Sequence, residues 1–163
     1  MNCQTCSSEM IPDDNPESFY CHQCDQVDGK PLPTDWTIAI QPSGNSTDFH
    51  CPNCVETNLE VGTVHKAQVC FCNNCRGFVI DSESFGELVR VLRAEYVGAD
   101  DKPKLMDQSQ LRKQRPCPAC FESMNTHPYY GPGNVVIDSC LHCKLTWLDH
   151  KELTMIQRAP GRR

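Results

Sequence analysis

Long hydrophobic runs are missing from this 163-residue sequence; the longest are fragments such as Phe78-Val79-Ile80 and Val135-Val136-Ile137. Nothing approaches the ~18 apolar residues of a spanning helix, so no membrane segment is expected. Aromatic residues supply only 7% of the chain, and Leu, Ile, Val and Phe together number 33, about a fifth. That lies near the ~20% level below which chains drift toward disorder. Twelve prolines and nine glycines break up what remains. One large hydrophobic core is therefore not expected, and another source of folding free energy is required.

Chemical signatures are scarce as well. No glycine-rich phosphate loop, nucleophile elbow or H-E-x-x-H motif occurs. The start, Met1-Asn2-Cys3-Gln4-Thr5-Cys6, has neither a basic nor an apolar stretch and does not read as a secretory signal. The expectation is a soluble, cytoplasmic protein, where thiols stay reduced and clustered cysteines bind metal more often than they form disulfides.

Cysteine is what the chain has in excess. Of 13, twelve form C-x-x-C pairs: Cys3/Cys6, Cys21/Cys24, Cys51/Cys54, Cys72/Cys75, Cys117/Cys120 and Cys140/Cys143. Random placement would give roughly one such pair. Two thiolates three residues apart on a tight turn occupy two corners of a zinc tetrahedron, and a second turn closes it. The gaps between pairs run 14, 26, 17, 41 and 19 residues. Pairing across the short gaps gives three four-cysteine sites and three expected Zn²⁺ ions. Iron is the alternative, since a sulfur tetrahedron suits both metals. Such closed sites leave no open coordination position, so no catalytic residue is assigned and no enzyme is expected. The histidines His22, His50, His65, His127, His142 and His150 are the other conceivable ligands; His22 and His142, inside knuckles, are read as solvent-facing or backbone-bonded, and His127 as a surface residue. A thioredoxin-type redox role would need a βαβ context that is lacking. Cys70, two residues before Cys72 on one strand face, reads as a small buried hydrophobe or, more sharply, as a spare thiol.

The chain also repeats itself. Cys51-Pro52-Asn53-Cys54 matches Cys117-Pro118-Ala119-Cys120, and the ten residues from Cys72 to Asp81 match Cys140 to Asp149 without a gap. Each repeat reads as knuckle, β-hairpin, knuckle, short strand and helix. Hairpin strands are expected at about 123–129 and 134–139 around Gly131-Pro132-Gly133. Asp81 or Ser82 is the expected cap of a helix reaching about Tyr96, with Phe85, Leu88, Val89 and Leu92 on one face. Asp149 with Glu152 three residues on has the form of a capping box. Trp147 is expected in the core beneath the terminal helix.

The pattern C-P-x-C, hairpin, C-x-x-C-x-G-x-W-L-D and acidic-start helix resembles the bacterial TFIIB-type zinc-ribbon family, the transcription-factor zinc-finger domain. The likeness is clearest over 117–157 and looser over 51–93. The second repeat keeps Gly77 but has Val79-Ile80 for Trp-Leu; the third keeps Trp147-Leu148-Asp149 but has Leu145 for the glycine. The resemblance implies a small metal-stabilised α+β fold of tandem zinc ribbons. The organisation expected is a ribbon at 1–24, a linker at 25–50 with an extra strand at Trp36–Ile40, a ribbon plus helix at 51–98, a basic linker at 99–116, a ribbon plus short helix at 117–158, and a tail at 159–163.

Charge is uneven. Residues 1–50 carry 1 basic and 8 acidic side chains, 51–101 carry 4 and 8, and 102–163 carry 10 and 5. Three zinc tetrathiolates would take the formal charge from −6 to about −12, which disfavours indiscriminate nucleic-acid binding. The expected role is a non-enzymatic module for a protein partner, in transcription or another macromolecular assembly. The first alternative is nucleic-acid binding through 102–163, by Lys113, Arg115, Lys144 and Arg158 with Tyr129 or Tyr130 stacking. A redox-responsive chaperone that releases zinc is the second.

Overall fold

The computed structural model describes residues 40–161, residues 2, 9, 10 and 38, and the backbone of four short strands before them. Two compact bodies result, Met1–Thr37 and Ile38–Arg163. In the first, β1 (Ile11–Pro12), β2 (Phe19–Cys21), β3 (Gln26–Val27) and β4 (Lys30–Pro31) pair in chain order as an antiparallel meander. Cys3, Cys6 and Cys24 lie outside the described residues, as does the side chain of Cys21, so the expected first metal site does too.

The second body is one antiparallel sheet with two helices. Its strands are β5 (Gln41–His50), β6 (Asn58–Val64), β7 (Ala67–Phe71), β8 (Phe78–Asp81), β9 (Asn125–Pro128), β10 (Val136–Cys140) and β11 (Leu145–Leu148). Their spatial order is β5-β6-β7-β8-β11-β10-β9. The last strands of the two repeats are thus neighbours at the centre, and the rest of each repeat extends outward on its own side. Expected as separate units on either side of the 99–116 linker, the repeats instead share one sheet.

Their junction has an approximate two-fold relation. In the β8–β11 ladder, Val79 stands opposite Trp147. The 68-residue offset that carries Cys72 onto Cys140 also carries Val79 onto Trp147, so the relating axis passes through this pair. Gly77 and Trp147 meet on one side of it. A Cβ at Gly77 would lie 2.3 Å from Trp147 Cζ2, so only glycine admits the indole. On the other side Leu145 and Val79 occupy the matching positions within the same buried cluster. The two differences between the repeats are therefore one exchange of volume across the axis.

Alternation along the strands divides the apolar residues between two faces. Phe78, Ile80, Leu148, Val69, Phe71, Val135 and Ile137 face the helices α1 (Ser82–Glu95) and α2 (Glu152–Arg158), meeting Phe85, Leu88, Val89, Leu92, Leu153 and Ile156. Leu59, Val79, Met124 and Trp147 line the opposite face with Cys51, Cys72, Cys117 and Cys140. Trp147 is core as expected, but on the cysteine side of the sheet and away from the terminal helix. Arg93 of α1 is buried and ties the helices together, donating to the carbonyls of Ile156 at 2.6 Å and Ala159 at 3.0 Å.

Local expectations fared unevenly. Asp81 caps α1, accepting from the N–H groups of Glu83 and Ser84 at 3.1 and 3.0 Å. Asp149 does not cap α2: the cap position falls to Lys151, at φ 76°, with no side-chain cap bond. Half of the reciprocal pair persists, because Glu152 Oε2 accepts from the Asp149 N–H at 2.8 Å. The 123–129/134–139 hairpin is shorter at both ends, since regular pairing starts at Asn125 and stops at Pro128.

The stretch 25–50 is not a plain linker. It supplies β3, β4 and the ten-residue edge strand β5, while of the expected Trp36–Ile40 strand only Ile38 and Ile40 are described, both half-buried against the helix-side core. The sequence of β5, QPSGNSTDFH, hides it because the strand is almost wholly exposed and has no apolar alternation. One register shift falls between Pro42 and Ser46, around Gly44, and a second between Ser46 and His50, as edge strands permit. The hydroxyls of Ser43 and Thr47 donate to the carbonyls of Val61 and Leu59, supplementing the ladder.

Candidate metal centre

Two four-cysteine clusters stand on the sheet face opposite the helices. In centre A, Cys51, Cys54, Cys72 and Cys75 bring their sulfurs within 4.8 Å of one another, and in centre B Cys117, Cys120, Cys140 and Cys143 do the same. The pairing across the 17- and 19-residue gaps is the one the structure shows. Among the described residues no histidine or carboxylate joins either group.

Backbone geometry builds each site. The first knuckle of a repeat precedes the hairpin, and the second follows its return strand. Cys72 O accepts from Arg76 N at 2.9 Å, and Cys117 O from Phe121 N at 3.0 Å, closing tight turns. Arg76, Phe121 and Lys144, each immediately after a second knuckle cysteine, have φ of 59°, 64° and 55°. This left-handed step turns the chain back so that N–H groups point at sulfur. Beyond that step the Gly77 N–H meets Cys75 in this way, and ahead of it, inside the knuckle, Cys143 N donates to Cys140 Sγ at 3.4 Å.

The spacing fits a metal. Zinc–sulfur bonds of 2.3 Å at tetrahedral angles place sulfurs about 3.8 Å apart. Cys51 and Cys75 Sγ lie 3.6 Å apart, and Cys120 and Cys140 Sγ 3.7 Å. A disulfide would need about 2.05 Å, and all nine described cysteines are free. With no metal, the crowded thiols share protons unequally. Cys75 falls to about 5, first because the Cys51 thiol donates to it, and Cys51 is raised in consequence. Cys143 rises to about 12, chiefly through its bond to Cys120. Cys51, Cys54, Cys117 and Cys143 are all raised and held protonated, so loading a metal expels protons and affinity weakens as pH falls.

Sequence reasoning missed what lies between the centres. Arg115, a proposed phosphate contact, is buried: its Nη1 donates to Asp138 Oδ2 and its Nη2 to Asp149 Oδ2, each at 2.6 Å. Its Nε donates to Asn53 Oδ1 at 2.6 Å, inside the first knuckle of centre A. Asp149 also accepts from Trp147 Nε1 at 3.1 Å and Asn53 Nδ2 at 2.8 Å, which is why it is unavailable as a cap. Asp138 accepts from Thr126 Oγ1 as well. An Asp at position 138, where the other repeat has Cys70, was the legible signal for a buried cation nearby.

The remaining candidates sort simply. Cys70 is half-buried beside the centre-A cluster, opposite Val79, and belongs to no four-cysteine group. Burial raises its pKa, which suits an inert thiol. His127 bonds Ser139 Oγ and stacks on the exposed ring of Tyr130, whereas Tyr129 packs edge-on against Phe85. His142 is exposed, and His65 pairs with Glu95 at 2.9 Å. No helix among the described residues is long and apolar enough to cross a membrane. No family model matches the chain, and no curated protein or solved structure matches it either.

Proposed function

We propose that this chain is a non-enzymatic zinc-ribbon protein whose four-cysteine sites are structural and whose metal-side surface serves a protein partner, in transcription or another macromolecular assembly. The observation that carries this reading is the closure of both centres by four sulfurs at tetrahedral spacing. Four thiolates fill a zinc shell and leave no position for substrate or activated water. Cys3, Cys6, Cys21 and Cys24 form the third site in the same reading.

The surface supports a partner. Val55, Phe121 and Leu141, all on knuckles, are 90%, 59% and 82% exposed. Val55 and Phe121 hold matching positions in the two repeats. Exposed apolar side chains held on rigid turns are suited to protein contact.

Nucleic-acid binding is the second reading. Tyr130 is 88% exposed, and Lys102, Lys104, Arg112, Lys113 and Lys144 are exposed too, while Arg115 is withdrawn into its ion pairs. Elemental analysis tests the metal: three zinc ions per chain are expected, and a red iron spectrum or a stoichiometry near one overturns this part. Titration of labelled oligonucleotides at ~0.15 M salt tests the partner. Micromolar or tighter binding favours the second reading. Recovery of a specific protein from nuclease-treated lysate, lost on Phe121→Ser with Leu141→Ser, favours the first.

A further inference from the structure

We propose that Asn53 is a positioning residue that ties centres A and B into a pair loading metal cooperatively, so that loss of metal from one weakens the other. The inference rests on reading both clusters as metal sites. Asn53 lies between Cys51 and Cys54. Its amide nitrogen donates to Cys75 Sγ of centre A at 3.9 Å and to Asp149 Oδ1 at 2.8 Å. Its oxygen accepts from Arg115 Nε at 2.6 Å.

From there the connection reaches both arms of centre B. Arg115 is two residues before Cys117, and its partner Asp138 is two residues before Cys140. The first knuckles are also joined through the backbone, where His50 N donates to Pro118 O at 3.3 Å. Beneath both centres lies one apolar cluster containing Cys51, Cys72, Cys117, Cys140 and Trp147. Neither set of sulfurs has a floor of its own.

The bridge is one-sided. Ala119 stands in centre B where Asn53 stands in centre A, so the side-chain part of the link rests on one amide, beside the backbone bond and the shared floor. When centre A holds metal, its first knuckle is fixed and Asn53 is set to receive Arg115. Arg115 and Asp138 then hold the strands that present Cys117 and Cys140. When centre A is empty, that knuckle is unpinned and Arg115 must be ordered by Asp138 and Asp149 without its third partner. Linkage makes the effect reciprocal: whatever factor A contributes to B, B contributes to A.

Full-length protein reconstituted with cadmium-113 tests this, because each centre gives its own resonance, assigned with Cys54→Ser and Cys120→Ser. The wild type is expected to show both resonances; their absence overturns the metal-site reading itself. In Cys54→Ser, chelator competition should show centre B binding cadmium at least tenfold more weakly. Affinity at B within twofold of wild type overturns the coupling while leaving the metal sites standing. Asn53→Ala is the second variant, chosen because the residue is exposed and is not a ligand. Both centres should still load at saturating cadmium, with the centre-A resonance shifted by loss of the N–H···S bond. With Cys3→Ser and Cys6→Ser added to both proteins to remove the expected third site, native mass spectra at limiting cadmium should show half-loaded molecules at least fivefold more abundant than when Asn53 is kept. An unshifted resonance with unchanged half-loading overturns the role of Asn53.

Discussion

Gly77 and Trp147 show how much one missing methyl group decides. The Trp147 indole is fully buried and occupies the space a Cβ at Gly77 would need, 2.3 Å from Cζ2. Overpacking of this kind costs about 1–3 kcal/mol. Gly77→Ala should therefore lower the stability of the metal-loaded protein by that amount in chemical denaturation. Combining it with Trp147→Leu should cost less than the two single changes added, because the clash is shared. Strict additivity would mean that the two side chains do not meet. Glu152 gives a residue-scale prediction of a different kind. Its carboxyl is buried, and burial, with the charge of Asp149 adding to it, holds its pKa well above the usual carboxylate range. A folded pKa raised above the unfolded one contributes stability that is complete at low pH and lost as pH rises. Glu152→Gln keeps an acceptor for the Asp149 N–H but removes the ionisation. Its melting temperature relative to wild type should climb between pH 5 and pH 8; a constant difference across that range contradicts the burial effect. Comparing the two proteins at each pH cancels the pH dependence of metal loading.

At the scale of elements, the hairpins and α1 were legible because their residues follow the period of the structure they form. Phe85, Leu88, Val89 and Leu92 recur at helical spacing and all four are buried, and Asp81 caps where a capping residue was expected. Two elements were not legible, for opposite reasons. β5 has no apolar pattern because an exposed edge strand needs none; its pairing partner β6 and two hydroxyl–carbonyl bonds hold it. Asp149 has the right sequence context for a cap but is claimed by a stronger, charged partner, Arg115, that lies 34 residues away. Local pattern cannot report a long-range ion pair. The two aspartates of the repeat should therefore behave differently on substitution. Asp81→Asn should cause a modest fall in melting temperature, since Asn also caps well. Asp149→Asn breaks a half-buried ion pair and should cost more, about 2 kcal/mol. Equal effects of the two changes, measured by thermal melts of the loaded protein, would assign Asp149 an ordinary capping role.

On the scale of the whole molecule, the four-cysteine sites were readable from spacing alone, whereas their assembly into one sheet was not. Each repeat contains every element of an independent unit, and the 41-residue gap between Cys75 and Cys117 suggests separation. The clue lay in the complementary exchange of Gly77 with Leu145 and of Val79 with Trp147, which makes sense only if the repeats touch. Contact through β8 and β11 changes what a fragment can do. A fragment of residues 100–163 would lose β8, the partner of β11, along with Phe85, Leu88 and Leu92, which cover Leu148 and Ile156. It would also lose Asn53, leaving Arg115 with fewer partners. A 64-residue piece with an open central edge and an uncovered apolar face has too little core to fold, and its one metal centre is set on a floor shared with the missing half. Saturating zinc should therefore not rescue it, and its amide spectrum should remain narrow. The 38–163 segment keeps the whole sheet and should give dispersed amide signals with zinc. By the same reasoning Cys117→Ser at sub-saturating zinc should perturb signals from both repeats, including those of β6 and β7, and chelation should melt 38–163 in a single transition. A folded 100–163 fragment, or a Cys117→Ser protein with the 51–98 signals intact, would show that the central β8–β11 pairing contributes little and that the repeats stand on their own.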